Sequence, residues 1–155
     1  ISFYEDTYSL YNLYRFAHYY EEAYGKYIWL KSGASLVIEH TEAMTVIDVN
    51  TGSVLKKKKQ EDTLFYQINR EAAKEIARQL RLRNISGIIM IDFINMKDTA
   101  QKEKLLSLLD SECKKDRVHC NVIDMTALNL VEMTRSKVRK PLHEQIRSCM
   151  KNNRS

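Results

Sequence analysis

The segments MTVIDV (residues 44–49) and IIMIDFI (residues 88–94) decide the fold of this 155-residue chain. Both are short, apolar and rich in β-branched residues, which is typical of strands buried in a sheet. Between them, residues 62–83 carry apolar side chains four positions apart, the spacing of one helix face. These side chains are Leu64, Ile68, Ala72, Ile76 and Leu80. A strand, a long helix and a second strand form a βαβ unit, so we expect the two strands to run parallel.

The rest of the sequence predicts helices and strands around this unit. We expect helices over residues 9–26, 98–115 and 142–150, and strands over residues 27–31, 35–39 and 118–125. Residues 127–139 fit a short helix or a turn. Because only four residues separate the strands at 35–39 and 44–49, these two should form an antiparallel hairpin. The predicted fold class is therefore α/β, a mixed sheet with a βαβ unit flanked by helices.

The sequence divides into an N-terminal helical segment (1–28), a core (29–142) and a C-terminal helix with a polar tail (143–155). Because residue 1 is an isoleucine, we expect the chain to be part of a longer polypeptide. The three cysteines form no C-x-x-C pair, which argues against a disulfide framework or a zinc site. No secretory signal or apolar run of about 20 residues is visible, so we expect a cytoplasmic protein without a membrane span.

Two aspartates occupy equivalent places late in the two deciding strands. If the strands are parallel neighbours, Asp48 and Asp92 lie at the same C-terminal edge of the sheet, where open α/β sheets bind ligands. Two carboxylates with room for water suit Mg²⁺, and Asn50, two residues after Asp48, could orient a carboxylate or a water. Alternatively, each aspartate ends a strand or pairs with an arginine. Spacing alone leaves both interpretations open.

Basic residues form several groups, in keeping with a net charge of +5. These basic groups could contact the phosphate backbone of RNA, or each could be an ordinary solvated surface. The candidate RNA-binding residues are Lys56, Lys57, Lys58, Lys59, Arg117, Arg135, Lys137 and Arg139. Nine tyrosines, most of them near the N-terminus, could stack on bases or fill an interface with another domain.

Four blocks of this sequence resemble the catalytic region of the ribonuclease E/G family. They are SGASLVIEHTEAMTVIDVNTG (32–52), NREAAKEIARQLRLR (69–83), GIIMIDFINM (87–96) and LVEMTR (130–135). Their order and approximate spacing agree with the family over about residues 29–142. The chain departs from the family pattern at Asn95, where aspartate is frequent, and at Asn129, where glycine is common. The cysteine motif through which many members share zinc does not occur in it.

The resemblance implies the DNase I-like subdomain of that family, with residues 29–142 as its metal-binding catalytic core. It implies that Asp48 and Asp92 bind Mg²⁺ and that Asn50 supports the site. The implied reaction is hydrolysis of phosphodiester bonds in single-stranded, often A/U-rich RNA, leaving 5′-phosphate and 3′-hydroxyl ends. Upstream RNA-binding domains of a longer chain are implied partners, and a homo-oligomer is compatible with the resemblance. The alternative function is a non-catalytic RNA-binding or scaffold module that retains the fold.

Overall fold

The computed structural model describes residues 3–52 and 61–152. Its strands are β1 (Tyr27–Trp29), β2 (Ser35–His40), β3 (Met44–Asn50), β4 (Gly87–Asp92), β5 (Cys120–Met125) and β6 (Leu130–Arg135). Its helices are α1 (Leu10–Leu13), α2 (Phe16–Tyr24), α3 (Glu61–Leu82), α4 (Thr99–Cys113) and α5 (Leu142–Asn152). The predicted α/β class is confirmed.

The described strands form one six-stranded mixed sheet with the order β1-β2-β3-β4-β6-β5. Strands β3 and β4 are parallel neighbours joined through α3, as the βαβ prediction requires. Strands β2 and β3 form the predicted antiparallel hairpin. The pairs β1–β2, β4–β6 and β5–β6 are also antiparallel. The deciding βαβ unit therefore occupies the middle of the sheet.

The prediction of a short helix or turn over residues 127–139 is wrong for the segment 130–135. This segment is strand β6, inserted between β4 and β5. Its side chains alternate between half-buried and buried, with Val131, Met133 and Arg135 inside, which is the two-residue period of a strand. The hairpin turn before it requires Asn129 in the left-handed region, at a φ of 63°. Asparagine tolerates this conformation better than most residues.

The single helix predicted over residues 9–26 is also wrong, because the segment contains two helices. The break lies at Arg15, whose φ of 52° is left-handed and therefore interrupts the helix. Helix α2 is held to α3 and to the residue after it by polar contacts. Arg83 donates to the carbonyl oxygen of Glu22 at 2.8 Å, and the Glu22 carboxylate forms an ion pair with Arg78 of α3.

One face of the sheet carries the core. The apolar stripe of α3 and the buried Leu105 and Leu109 of α4 belong to one cluster with Ile47, Ile91 and other inward residues of the strands. Alternate residues of the same strands point to the opposite face, where Trp29 is 73% exposed. The helix-covered face supplies most of the apolar burial, and the opposite face is the one on which polar side chains can meet a ligand.

Candidate functional site

Asp48 and Asp92 are direct partners across the two parallel central strands. Their Cα atoms are paired in the β3–β4 register, and Asp92 is the last residue of β4. Paired residues of neighbouring strands point to the same face of a sheet. Since Ile47 and Ile91, one residue earlier, are buried in the core, the two aspartates point to the opposite face. The structure therefore brings the two predicted ligands together at one edge.

The two carboxylates influence each other electrostatically. Asp48 is half-buried and Asp92 is exposed. The pKa of Asp92 is raised, first by partial burial and then by the negative charge of Asp48. Like charges placed this close disfavour joint ionisation, and a bound cation would remove that penalty. The pair is thus an arrangement that gains stability when a positive ion is present.

Asn50 lies beside this pair and contacts one of its members. Its Nδ2 donates a hydrogen bond of 2.6 Å to Oδ2 of Asp48. The bond fixes one carboxylate oxygen and leaves the other available to a ligand. The chain then turns at Gly52, whose φ is +57° and where a Cβ would lie 2.7 Å from the carbonyl oxygen of Gly33. Glycine is required there by both the conformation and the close approach.

The donor set fits Mg²⁺. Two carboxylate groups converge, and each can bind a metal ion through oxygen. In proteins, Mg²⁺ is usually held by one or two carboxylates together with water and substrate phosphate. Among the described residues, no group of three or more histidine, cysteine, aspartate or glutamate side chains is placed to hold a metal ion. A cation at Asp48 and Asp92 would therefore depend on water and substrate oxygens for the rest of its coordination.

The predicted basic residues do not surround the aspartate pair. Lys56, Lys57, Lys58 and Lys59 lie outside the described residues. Arg117, Lys137 and Arg139 are exposed, and Arg117 and Arg139 line an open cavity of about 490 Å³ together with Arg81 and Lys115. Arg135, which also lines this cavity, pairs in register with Gly87 at the start of β4. Since Asp92 is five residues further along β4, the cavity begins about 17 Å from the aspartates.

Arg135, another predicted RNA-binding residue, lies inside the fold. Its side chain is 3% exposed and forms an ion pair of 2.9 Å with Asp116. Its Nη1 also donates to Oδ1 of Asn84 at 3.0 Å and to the carbonyl oxygen of Ile85 at 2.9 Å. A buried guanidinium needs such partners because burial of an unpaired charge is costly. Arg135 therefore joins β6 to the end of α3 and to the loop before β5.

Two polar residues of α3 were missed by the sequence reasoning. Asn69 is completely buried and contacts both backbone groups of Ile94, just beyond Asp92. Glu71 accepts from the backbone N–H groups of Lys31 and Ser32 at 2.7 and 3.3 Å, in the turn before β2. A signal for Asn69 was available, because this polar residue lies three positions before Ala72 and seven before Ile76 on the apolar stripe.

The fold and this site define a mixed α/β domain in which two carboxylates are paired at the C-terminal ends of two parallel strands. A model of the ribonuclease E/G family matches residues 1–138. The chain belongs to this family, as its four sequence blocks predicted.

Individual relatives support the same assignment. The chain is 45% identical to ribonuclease G of Escherichia coli (strain K12) over 122 residues, which are 79% of this chain and 25% of that protein. It is 42% identical to ribonuclease G of Haemophilus influenzae over 139 residues, 90% of this chain and 28% of the relative. It is 42% identical to ribonuclease E of Nostoc sp. over 115 residues, which are 74% of this chain and 17% of that protein. The chain thus spans about a quarter or less of these curated relatives.

Within the described residues, none of the helices combines the length and the apolar character that crossing a membrane would require.

Proposed function

We propose that this protein is the metal-binding core of an endoribonuclease that hydrolyses phosphodiester bonds of single-stranded RNA. The observation that carries the proposal is the register pairing of Asp48 with Asp92, with Asn50 bonded to the first of them at 2.6 Å. Family membership gives this geometry its chemical meaning, because the relatives are named ribonuclease G and ribonuclease E. The proposed cofactor is Mg²⁺, and the proposed products carry 5′-phosphate and 3′-hydroxyl ends.

In this proposal the aspartates bind the cation and Asn50 orients the Asp48 carboxylate toward it. Mg²⁺, when bound, makes a coordinated water more acidic and offsets negative charge on the scissile phosphate. The strand pairing holds both carboxylates on one rigid edge before substrate arrives, which reduces the cost of assembling the site. The exposed side of the pair leaves space for an RNA strand to approach from the sheet face opposite the core.

The basic residues have a separate role in the proposal. Arg117, Lys137 and Arg139 contact RNA phosphates away from the cleaved bond, because the cavity that includes Arg117 and Arg139 begins about 17 Å from Asp92 along β4. We also propose RNA contacts for Lys56, Lys57, Lys58 and Lys59, in the sequence that follows β3. A longer protein or a homo-oligomer would add RNA-binding surface to these groups. Such contacts raise affinity without deciding which bond is cut.

The test is cleavage of a 5′-labelled, A/U-rich single-stranded RNA by the protein with Mg²⁺ and with EDTA. The variants are Asp48→Asn and Asp92→Asn, each nearly equal in size to the parent residue. The matched control is Asp124→Asn, which removes an exposed carboxylate from β5, at the outer edge of the same sheet. We expect Mg²⁺-dependent cleavage by the parent and the control, and loss of cleavage in both site variants.

Two results would contradict the proposal. Cleavage that continues in EDTA, or in both site variants, would place the chemistry elsewhere. A folded parent that binds the RNA but does not cut it at any Mg²⁺ concentration would instead support the alternative of a non-catalytic RNA-binding or scaffold module. Analysis of the ends of any products then tests the proposed 5′-phosphate and 3′-hydroxyl groups.

A further inference from the structure

A buried amide on α3 holds the chain immediately after the second aspartate. Nδ2 of Asn69 donates to the carbonyl oxygen of Ile94 at 2.7 Å, and Oδ1 of Asn69 accepts from the N–H of Ile94 at 3.0 Å. Asn69 is completely buried. Two hydrogen bonds from one planar amide to one residue restrain both the position and the orientation of that residue's backbone.

The location of this contact matters because the sheet ends there. The β4–β6 register ends with Asp92 paired to Leu130, so the ladder does not extend to Ile94. Phe93 and Met96 are buried around this segment. Backbone groups in such surroundings need partners, since an unpaired buried N–H or carbonyl group is costly. Asn69 supplies both partners at the point where the strand no longer does.

We propose that Asn69 is a positioning residue for Asp92, and that its contact with Ile94 keeps the two aspartates of the cation site convergent. Ile94 is two residues beyond Asp92, and no strand pairing of β4 lies between them. Loss of the contact would free the end of β4 and allow Asp92 to move away from Asp48. This inference rests on the proposed function, because it assigns Asn69 a role in the affinity of that site for Mg²⁺.

The first test is Asn69→Leu, which keeps the branched shape of the side chain and removes both hydrogen bonds. Its matched control is Ile76→Val or Ile76→Ala, whichever has the same thermal midpoint as Asn69→Leu. Ile76 is buried on the same helix, seven residues from Asn69. Mg²⁺ binding is measured by calorimetry. The Asp48→Asn variant, which lacks one of the two proposed ligands, gives the background heat. Losing a group that orients a metal ligand weakens metal affinity about 10- to 100-fold, so we expect a loss of this size in Asn69→Leu and little change in the control.

The second test measures amide hydrogen exchange and does not depend on the metal. In Asn69→Leu, protection should fall at Ile94 and remain at Ile91, which is within the β3–β4 ladder. If Asn69→Leu does not fold, Asn69→Ser is used for both tests, because serine removes the double contact and leaves room for water.

The outcomes separate this inference from the proposed function. If the parent binds no Mg²⁺, the proposed function fails, and the exchange experiment alone decides whether Asn69 holds the end of β4. If the parent binds Mg²⁺ and Asn69→Leu weakens binding no more than the Ile76 control, Asn69 has only a general structural role and the inference is overturned. Unchanged protection at Ile94 in Asn69→Leu would overturn it as well.

Discussion

Acidification should destabilise the protein through His40, a residue of β2 that contacts α5. The rings of His40 and His143 are stacked, with centroids 3.8 Å apart, and Nδ1 of His40 lies 3.0 Å from Oγ1 of Thr45. Burial first, and then the charges of His143 and Arg83, lower the pKa of His40 from 6.5 to about 4. Protonation therefore places a charge in a stack that accommodates the neutral ring.

His143 responds in the same direction. Its pKa is lowered chiefly by burial, and the positive charges of Arg147 and Lys137 lower it too, whereas Glu144 opposes them. Substitution at His40 must therefore be compared with the parent over the whole acidic range, because the second imidazole also titrates there.

The sign and size of the effect follow from proton linkage. Between pH 6.5 and about 4 the unfolded chain binds a proton at His40 that the folded protein excludes, so the free energy of unfolding rises with pH. The stabilisation is complete above pH 6.5 and is lost as the pH falls to about 4. At about 1.36 kcal/mol for each pH unit, this interval corresponds to about 3 kcal/mol. Because the ring is only partly buried, we halve this value for solvent screening and expect about 1.5 kcal/mol.

The assay is urea unfolding of the parent and of His40→Phe at several pH values between about 7 and about 4.5. Phenylalanine keeps an aromatic ring against His143 and cannot be protonated. The variant should lose less stability on acidification than the parent, by about 1.5 kcal/mol. Comparing the change in unfolding free energy of the two proteins cancels the titration of carboxylates that both contain. The control is His18→Gln, which removes an exposed imidazole of α2 and should follow the parent. Equal pH dependence of the parent and His40→Phe would refute the reasoning.

Three further substitutions test the charges and the turn around the sheet. Without Mg²⁺, Asp92→Asn should raise the free energy of urea unfolding at neutral pH by up to about 1 kcal/mol, because the raised pKa shows that the ionised form disfavours the fold. A less stable variant would contradict this. Arg135→Met should cost about 3–5 kcal/mol in the same measurement, since it leaves the Asp116 carboxylate buried without its partner; a loss below about 1 kcal/mol would show that water replaces the guanidinium. Gly52→Ala should cost about 1–2 kcal/mol from its left-handed φ alone, and more if the carbonyl of Gly33 cannot move. An unchanged thermal midpoint would refute that expectation.

The centre of the fold was predictable because its signals are local. The four-residue apolar spacing of α3 and the two apolar strands beside it need no knowledge of distant residues. Strand β6 was not predicted, although Val131, Met133 and Arg135 alternate inward, because one of the three buried positions is an arginine. In the sequence, an arginine at an inward position interrupts the apolar pattern of a strand, and only knowledge of its ion-pair partner explains why it is buried there. That partner, Asp116, is 19 residues away in the sequence.

The same distinction applies to the site. The placement of Asp48 and Asp92 at one edge follows from the βαβ topology, because equivalent positions late in parallel neighbours meet at the same end. The basic residues could not be placed in this way. Their positions depend on where loops and helix ends meet, and Arg117 and Arg139 prove to lie at the far end of β4 from the aspartates. Charge composition indicated a partner class but not a location.

The division between the two faces of the sheet explains how the protein can keep an unfavourable pair of charges. The core-facing residues of β3 and β4, such as Ile47 and Ile91, are completely buried against α3 and α4, and burying a large aliphatic side chain contributes about 1.5–3 kcal/mol. The pKa of Asp92 is raised first by partial burial and then by the charge of Asp48, and this penalty falls on a single exposed side chain that solvent screens. Each strand can therefore hold a carboxylate on the opposite face with little loss of folding stability. If a cation binds there, the repulsion becomes attraction to a common ion, so Mg²⁺ should stabilise the parent protein and have no such effect on Asp92→Asn.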